Sequence, residues 1–199
     1  MSAERPVDHT RDGRSTLSVE RESKIPTLRA VDHSAYTVPN LDQAVAFFVD
    51  HFGAELVFRD GPFADDVSDG MRRRLNVDPR AVSKIAMIRI GKHHNVELFE
   101  YTTPVQQTVL PRNSDIGGHH MGFYVDDIDA AYDYVRSIPG VVVQEGPNGV
   151  DPAAPVAGQR WFYFVSPWGM QLELTTCASG GFYDGLPGAA MAPPSASWR

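Results

Sequence analysis

The stretch RAVDHSAYTVPNLDQAVAFFVDHFGAELV, which begins at Arg29, decides the fold of this chain. It aligns without a gap on IGGHHMGFYVDDIDAAYDYVRSIPGVVVQ, which begins at Ile116, at a constant offset of 87 residues. His33 falls on His120 in this alignment, and Gly53 falls on Gly140. Because self-similarity at a fixed offset is typical of repeated structural units, the sequence predicts two copies of one module.

Each copy of the repeat predicts a strand, a turn and a helix. The strand follows from the alternation of apolar and polar residues through the histidine. The helix follows from apolar residues at spacings of three and four between Leu41 and Phe48. Asn40 and Asp127 are the predicted N-cap residues. The two aligned glycines, Gly53 and Gly140, are expected to end the helices.

A hairpin is predicted in the second half of each copy. KIAMIRIGKHHNVELFEY, from Lys84, has a predicted turn at 91–95, and QRWFYFVSPWGMQLELTT, from Gln159, has one at 166–169. Aligning VEL with LEL places Glu97 on Glu173, and the first copy is longer because it contains RDGPFADDVSDGMRRRLNVDPR. We expect this insertion, residues 59–80, to carry a short helix over 67–75 and to act as a lid beside the open end of the sheet.

These patterns divide the chain into four parts and predict the α+β class. Residues 1–28 have balanced charges and almost no apolar periodicity, so they are expected to form a mobile arm. The first module covers 29–104. A linker and the second module cover 105–178, and a tail rich in Gly, Pro and Ala covers 179–199.

The composition restricts the possible partners. The 199 residues carry a formal net charge of −7, which argues against a surface for nucleic acid or anionic lipid. No stretch approaches the roughly 18 apolar residues of a membrane helix. The chain has a single cysteine, Cys177, and no apolar signal-peptide core. We therefore expect a soluble, cytoplasmic protein whose partners are small molecules or other proteins.

Four residues occupy matched positions in the two modules: His33, His120, Glu97 and Glu173. Strand parity places all four on the sheet face that the helices do not cover, whereas Glu100 falls on the opposite parity from Glu97. Two imidazoles and two carboxylates form a mixed ligand set for a divalent metal and leave one or two positions for water or substrate. The alternative is that each is an ordinary polar residue on a strand, but buried carboxylates need a partner.

The segments VDHSAYTVPNLDQAVAFF, VELFEY, GGHHMGFYVDDIDAA and FYFVSPWGMQLEL resemble the vicinal-oxygen-chelate superfamily over about residues 29–178. This resemblance implies two tandem βαβββ modules that form an open, curved mixed sheet around one metal. It assigns the metal ligands to His33, Glu97, His120 and Glu173. It also implies one divalent ion per site (Zn, Ni, Co, Mn or Fe) and a homodimer.

The resemblance further implies an enzyme, because retention of all four ligands is similar to the glyoxalase I and epimerase branch. The expected reaction is removal of a proton α to a carbonyl through a metal-stabilised enediolate, with Glu173 as the first choice of base and Glu97 as the other. RDGPFADD, NVDPRAVSKIAMIRIG and NVELFEYTTP are similar to cyclitol epimerases of actinobacterial secondary metabolism that act on 2-epi-5-epi-valiolone. The alternatives are a glyoxalase I-like lyase, an extradiol-type dioxygenase and a non-catalytic antibiotic-binding resistance protein.

A polyhydroxylated ketone would fit a site with polar neighbours, and five residues are candidates for contacting it. Two of them have an alternative interpretation: Tyr124 would simply stack among other rings, and Arg160 would pair with a surface carboxylate. Trp168 is placed at the cavity mouth because SPWGM replaces the frequent DPDGN turn of the superfamily. The five predicted substrate-binding residues are Thr37, Tyr124, Arg160, Gln171 and Trp168.

Overall fold

A computed structural model describes residues 23–65, 67–154 and 156–177, so most of the predicted arm and the whole predicted tail lie outside the described residues. No helix in these ranges is long and apolar enough to cross a membrane. The elements in chain order are β1 (His33–Thr37), α1 (Leu41–Phe52), β2 (Glu55–Phe63), α2 (Gly70–Leu75), β3 (Val82–Ile90), β4 (His94–Thr102), β5 (Met121–Tyr124), α3 (Ile128–Ser137), β6 (Val142–Val143), β7 (Asn148–Gly149), β8 (Gln159–Val165) and β9 (Gln171–Cys177).

The two modules share one topology. The first sheet has the order β1-β4-β3-β2, and the second has the order β5-β9-β8-β6 with β7 paired to β8. In each sheet the first strand of the module runs parallel to the last strand, and the other pairs are antiparallel. The α+β class and the open mixed sheets are confirmed. The strands divide into two sheets, one for each module.

The helix starts agree with the sequence, and one helix end does not. Asn40 accepts a hydrogen bond from the Gln43 N–H at the start of α1, and Asp127 caps α3 in the same way. Gly53 ends α1 in the left-handed conformation, with φ of 63°. The prediction that Gly140 ends α3 is wrong, because α3 stops at Ser137. Pro139 follows directly after the extended residue Ile138, and the residue before a proline disfavours helical backbone.

The insertion predicted at 59–80 begins within a strand. Its first five residues, 59–63, continue strand β2. Its helix is shorter than the sequence predicted and covers Gly70–Leu75. Met71, near the start of this helix, is buried. Its function as a lid stays a prediction.

The helix-covered faces of the two sheets meet in one apolar core. Buried side chains from both modules belong to a single cluster, which includes Phe48 and Phe164. Phe52 of α1 lies 4.7 Å from Phe123 of β5 between ring centroids. His51 Nδ1 and the Tyr134 hydroxyl, 3.0 Å apart, form a hydrogen bond that joins α1 to α3. The opposite face of each sheet therefore points away from the shared core.

Glu100 connects the first sheet to α1. Its carboxylate accepts hydrogen bonds from the Leu41 N–H at 2.8 Å and from Lys84 Nζ at 2.7 Å. The hydrogen bond from the Lys84 ammonium is the main cause that lowers the pKa of Glu100 below its ordinary value, and the hydrogen bond from the Leu41 N–H has a smaller effect in the same direction. This role agrees with the parity argument that separated Glu100 from Glu97.

We expect Glu100→Ala to lower the free energy of unfolding by about 1 kcal/mol near neutral pH, because a charge-assisted bond at the start of a helix is lost. Since the folded-state pKa is lowered, this contribution is present above the unfolded value and disappears as pH falls through the folded value. Urea unfolding of wild type and variant at several pH values checks this. A difference that stays constant from neutral to acid pH would contradict the assigned role.

Candidate functional site

The first histidine–glutamate pair joins β1 to β4. Glu97 lies between Val96 and Leu98, which are both fully buried, so its side chain emerges on the face away from the helix. His33 Nε2 is 3.5 Å from Glu97 Oε2. On its other side, His33 Nδ1 is 2.8 Å from Asp32 Oδ2. The Asp32 hydrogen bond is the main cause of a raised His33 pKa, with a smaller contribution from the charge of Glu97.

The second pair repeats this arrangement between β5 and β9. His120 Nε2 is 3.1 Å from Glu173 Oε2, and Glu173 emerges between the buried residues Leu172 and Leu174. Burial raises the pKa of Glu173, and the opposing effect of the His120 charge is smaller. The rings of His120 and Tyr163 meet edge to face, 4.9 Å apart between centroids.

The donor atoms of each pair suit a divalent metal. Two ligands that each lie about 2.1 Å from one ion, at angles between octahedral and tetrahedral, are about 3.0–3.4 Å apart. The two observed nitrogen–oxygen separations, 3.5 Å and 3.1 Å, are close to this range. A carboxylate on the outer ring nitrogen of a histidine orients metal-binding histidines in general, and Asp32 occupies that position on His33. Each pair therefore fits half of a four-ligand site.

The two half-sites do not converge within the single chain. In the described part of the chain, no group of three or more His, Cys, Asp or Glu side chains is placed to hold a metal ion. The reason lies in the packing: the sheets meet through their helix-covered faces, so each pair lies on an outward face. We call His33 with Glu97 the first half-site, and His120 with Glu173 the second half-site.

Three of the predicted substrate-binding residues lie on the same faces as the half-sites. Thr37 follows His33 on β1, and Tyr124 follows Gly122 on β5, each by strand alternation. Gln171 precedes Glu173 by two residues on β9. Its Nε2 atom is buried and has no hydrogen-bond partner among the described residues.

Two predicted substrate-binding residues lie elsewhere, and their positions correct the sequence interpretation. Both terminal nitrogens of Arg160 donate to the Asp129 carboxylate, at 2.7 Å and 2.8 Å, in the first turn of α3. This is the alternative that the sequence left open, and it holds Arg160 on the helix-covered face. Trp168 packs against the rings of Phe47 and Phe48, so it belongs to the core between the modules.

Sequence reasoning missed Asp32 and Tyr163. Asp32 precedes His33 directly, and the carboxylate–histidine pairing of metal sites was the available signal. Tyr163 is the cross-strand partner of Glu173, and counting residues back through the hairpin turn would have found it. The two modules differ at these positions. In the alignment of the repeats, Asp32 corresponds to His119, and Tyr163 corresponds to Met87.

Comparison with known proteins gives the family. The model of the Glyoxalase/Bleomycin resistance protein/Dioxygenase superfamily matches residues 32–157 of the chain. The chain belongs to this superfamily. The match includes both helices that begin at a capped N-terminus and three of the four half-site residues, and Glu173 follows it in the sequence.

Individual members of the glyoxalase/bleomycin resistance/dioxygenase superfamily resemble the chain to different degrees. The chain is 48% identical over 174 residues to a 2-epi-5-epi-valiolone epimerase from Actinomyces sp. The aligned region covers 87% of this chain and 93% of that protein. A glyoxalase family protein from Bacillus cereus has a TM-score of 0.61 at 20% identity and covers 78% of this chain and 98% of that one. A second, from Enterococcus faecalis, has a TM-score of 0.51 at 18% identity, covering 74% and 97%. These structural likenesses concern the fold alone.

Proposed function

We propose that this protein is an epimerase that acts on a cyclitol ketone such as 2-epi-5-epi-valiolone. The observation that carries this proposal is the 48% identity to the Actinomyces enzyme of that name over nearly the full length of both chains. The presence of a histidine–glutamate pair in each module supports it, since proton transfer next to a carbonyl needs a base and stabilisation of negative charge. The cytoplasmic location stays a prediction from the sequence.

Four residues would hold one divalent metal: His33, Glu97, His120 and Glu173. When bound, such an ion supplies Lewis-acid polarisation of the substrate carbonyl. Imidazole nitrogen and carboxylate oxygen accommodate Zn, Ni, Co, Mn and Fe, so the donor set leaves the metal identity open among these.

The carboxylates would move the proton. The Glu173 carboxylate accepts a proton from the carbon next to the ketone. The electron pair of that C–H bond stays on the substrate and moves toward the carbonyl oxygen. When the pair returns to carbon, a proton delivered to the opposite face inverts the stereocentre. Glu97, on the other half-site, is the candidate for that delivery. No atom is gained or lost in the cycle, and Glu173 and Glu97 exchange their protons with solvent.

The residues that lie opposite the two glutamates differ, and the difference favours Glu173 as the base. Gly122 lies opposite Glu173 in the sheet, whereas Ala35 lies opposite Glu97. A Cβ atom added at Gly122 would lie 3.4 Å from Glu173 Oε2, so the glycine leaves the carboxylate room to move.

The complete site would form between two copies of the chain. Each half-site lies on an outward face, and β1 and β5, which carry or adjoin the histidines, are the end strands of their sheets as described. An exposed strand edge needs a partner, and a second copy would supply one. Placing the first half-site of one copy against the second half-site of the other would yield two sites in a symmetric homodimer.

The substrate hydroxyls would be held by the polar residues on these faces. Thr37 would contribute from the first half-site, and Tyr124 and Gln171 from the second. The buried, unpartnered Nε2 of Gln171 supports this assignment, because an unsatisfied buried donor costs roughly 1–3 kcal/mol until it finds an acceptor.

We expect Gly122→Ala to reduce kcat by about threefold to tenfold, because the added methyl group restricts the Glu173 carboxylate. The matched control is Ala35→Gly, which makes the first half-site resemble the second and should leave kcat within about twofold. Steady-state kinetics with the ketone measure both. Equal effects of the two substitutions would remove the distinction between the glutamates.

Turnover assays on three substrate classes test the proposed function. We expect the metal-loaded protein to convert 2-epi-5-epi-valiolone to its epimer. It should neither isomerise the methylglyoxal–glutathione hemithioacetal nor consume oxygen with catechols. Turnover of the hemithioacetal alone would identify a glyoxalase I-like lyase, and oxygen uptake with catechols would identify a dioxygenase.

A further inference from the structure

Tyr163 lies beside the second half-site in a fixed position. It is on β8, between Phe162 and Phe164, which are fully buried in the core, so its ring lies on the opposite, outward face. It pairs directly with Glu173 across the strands. Side chains opposite each other in an antiparallel pair have Cβ atoms about 4.5–5.5 Å apart. The phenol is therefore within one side-chain length of the proposed base.

Two aromatic neighbours hold the Tyr163 ring. The rings of Tyr163 and His120 meet edge to face, 4.9 Å apart between centroids. The ring of Trp161, on the same strand, lies 5.0 Å from the Tyr163 ring between centroids. The Tyr163 hydroxyl makes no hydrogen bond with any other described residue, and it is not among the buried polar atoms that lack partners. It is thus a positioned donor that is open to solvent or to a ligand.

The first half-site has no phenol at the equivalent position, and its own tyrosine, Tyr101, lies four residues beyond Glu97 on the same face of β4. Met87 takes the place of Tyr163 and pairs with Glu97 across the strands. Methionine offers no hydrogen-bond donor, so the two half-sites present different chemistry to one bound molecule. The half-site that contains Glu173 also has the phenol and the unpartnered Gln171 amide.

We propose that Tyr163 is a specificity-determining residue that donates its phenol hydrogen bond to a hydroxyl group of the substrate, a polyhydroxylated cyclic ketone. This inference rests on the proposed function and adds to it which side of the site reads the hydroxyl pattern. The edge of the substrate ring that carries this hydroxyl faces the second half-site. Met87, at the first half-site, contacts carbon atoms of the substrate. A ketone without the hydroxyl would leave the Tyr163 donor unpaired.

The test compares Tyr163→Phe with wild type on 2-epi-5-epi-valiolone and on a series of its monodeoxy analogues. With the full substrate we expect kcat/KM to fall by about threefold to tenfold, mainly through KM, as for the loss of one neutral hydrogen bond. With one of the analogues the two proteins should be equal, because the hydroxyl that Tyr163 binds is missing. Tyr132→Phe is the matched control, since Tyr132 packs against Phe162 on the helix-covered side.

The possible results separate the inference from the proposed function. A loss that is the same for the full substrate and for every analogue would mean that Tyr163 acts through packing, and it would overturn the inference. Unchanged kinetics of Tyr163→Phe would overturn it as well while leaving the epimerase intact. If wild type neither binds the ketone in a calorimetric titration nor converts it, the proposed function fails, and the inference fails with it.

Discussion

Replacing Glu173 with Gln is expected to reduce kcat for epimerisation by about 100-fold or more. The amide has nearly the same shape as the carboxylate but cannot accept a proton, and a positioned general base contributes about 10²–10⁴-fold. The α-proton of the ketone should also stop exchanging with D2O. Steady-state kinetics and proton NMR measure the two effects, and Glu145→Gln, at an exposed position, is the control for a change of charge.

Metal content distinguishes two causes of this loss, because Glu173 is also a proposed ligand. A variant that keeps its metal and its fold but loses exchange supports the role of base. A variant that loses the metal supports the role of ligand. Full activity of a metal-loaded, folded Glu173→Gln would contradict both roles and would direct attention to Glu97.

Mixing two inactive variants is expected to restore activity. His33→Ala removes a ligand of the first half-site, and His120→Ala removes a ligand of the second. In a mixed dimer one site combines the intact second half-site of the His33→Ala copy with the intact first half-site of the His120→Ala copy. Random exchange of subunits makes half of the dimers mixed. Each mixed dimer has one intact site out of two, so activity should recover to about one quarter of wild type.

The recovery depends on where the site forms. Each variant alone should have less than about one hundredth of wild-type activity, as expected for loss of the metal. Subunit exchange is brought about by mild denaturation and refolding of the mixture, and equally treated wild type sets the reference. A mixture as inactive as its components, in a sample shown to contain mixed dimers, would mean that each chain builds its own site.

The module structure could be predicted because local signals agreed with the global repeat. Asn40 and Asp127 cap helices where the alignment placed them, and the alternation around Glu97 and Glu173 gave the correct faces. The prediction for Gly140 is wrong because the alignment with Gly53 does not reveal the effect of Pro139, which prevents α3 from reaching that glycine.

The site could be predicted in its parts but not in its assembly. The parity of a strand follows from sequence, so the two histidine–glutamate pairs were found. The relative placement of the sheets depends on contacts such as Phe52 with Phe123, between residues far apart in the chain, and no periodicity reveals these. Trp168 illustrates the same limit: its turn was recognised, but its partner Phe47 belongs to the other module.

The most direct test of the central claim follows the hydrogen next to the ketone of 2-epi-5-epi-valiolone by proton NMR in D2O. With metal-loaded wild type, we predict that this signal disappears as the epimer accumulates with deuterium at the inverted carbon. Removal of the metal by a chelator should stop the exchange, and a divalent ion should restore it. An unchanged spectrum with the metal-loaded dimer, or exchange that continues at the same rate without metal, would contradict the account.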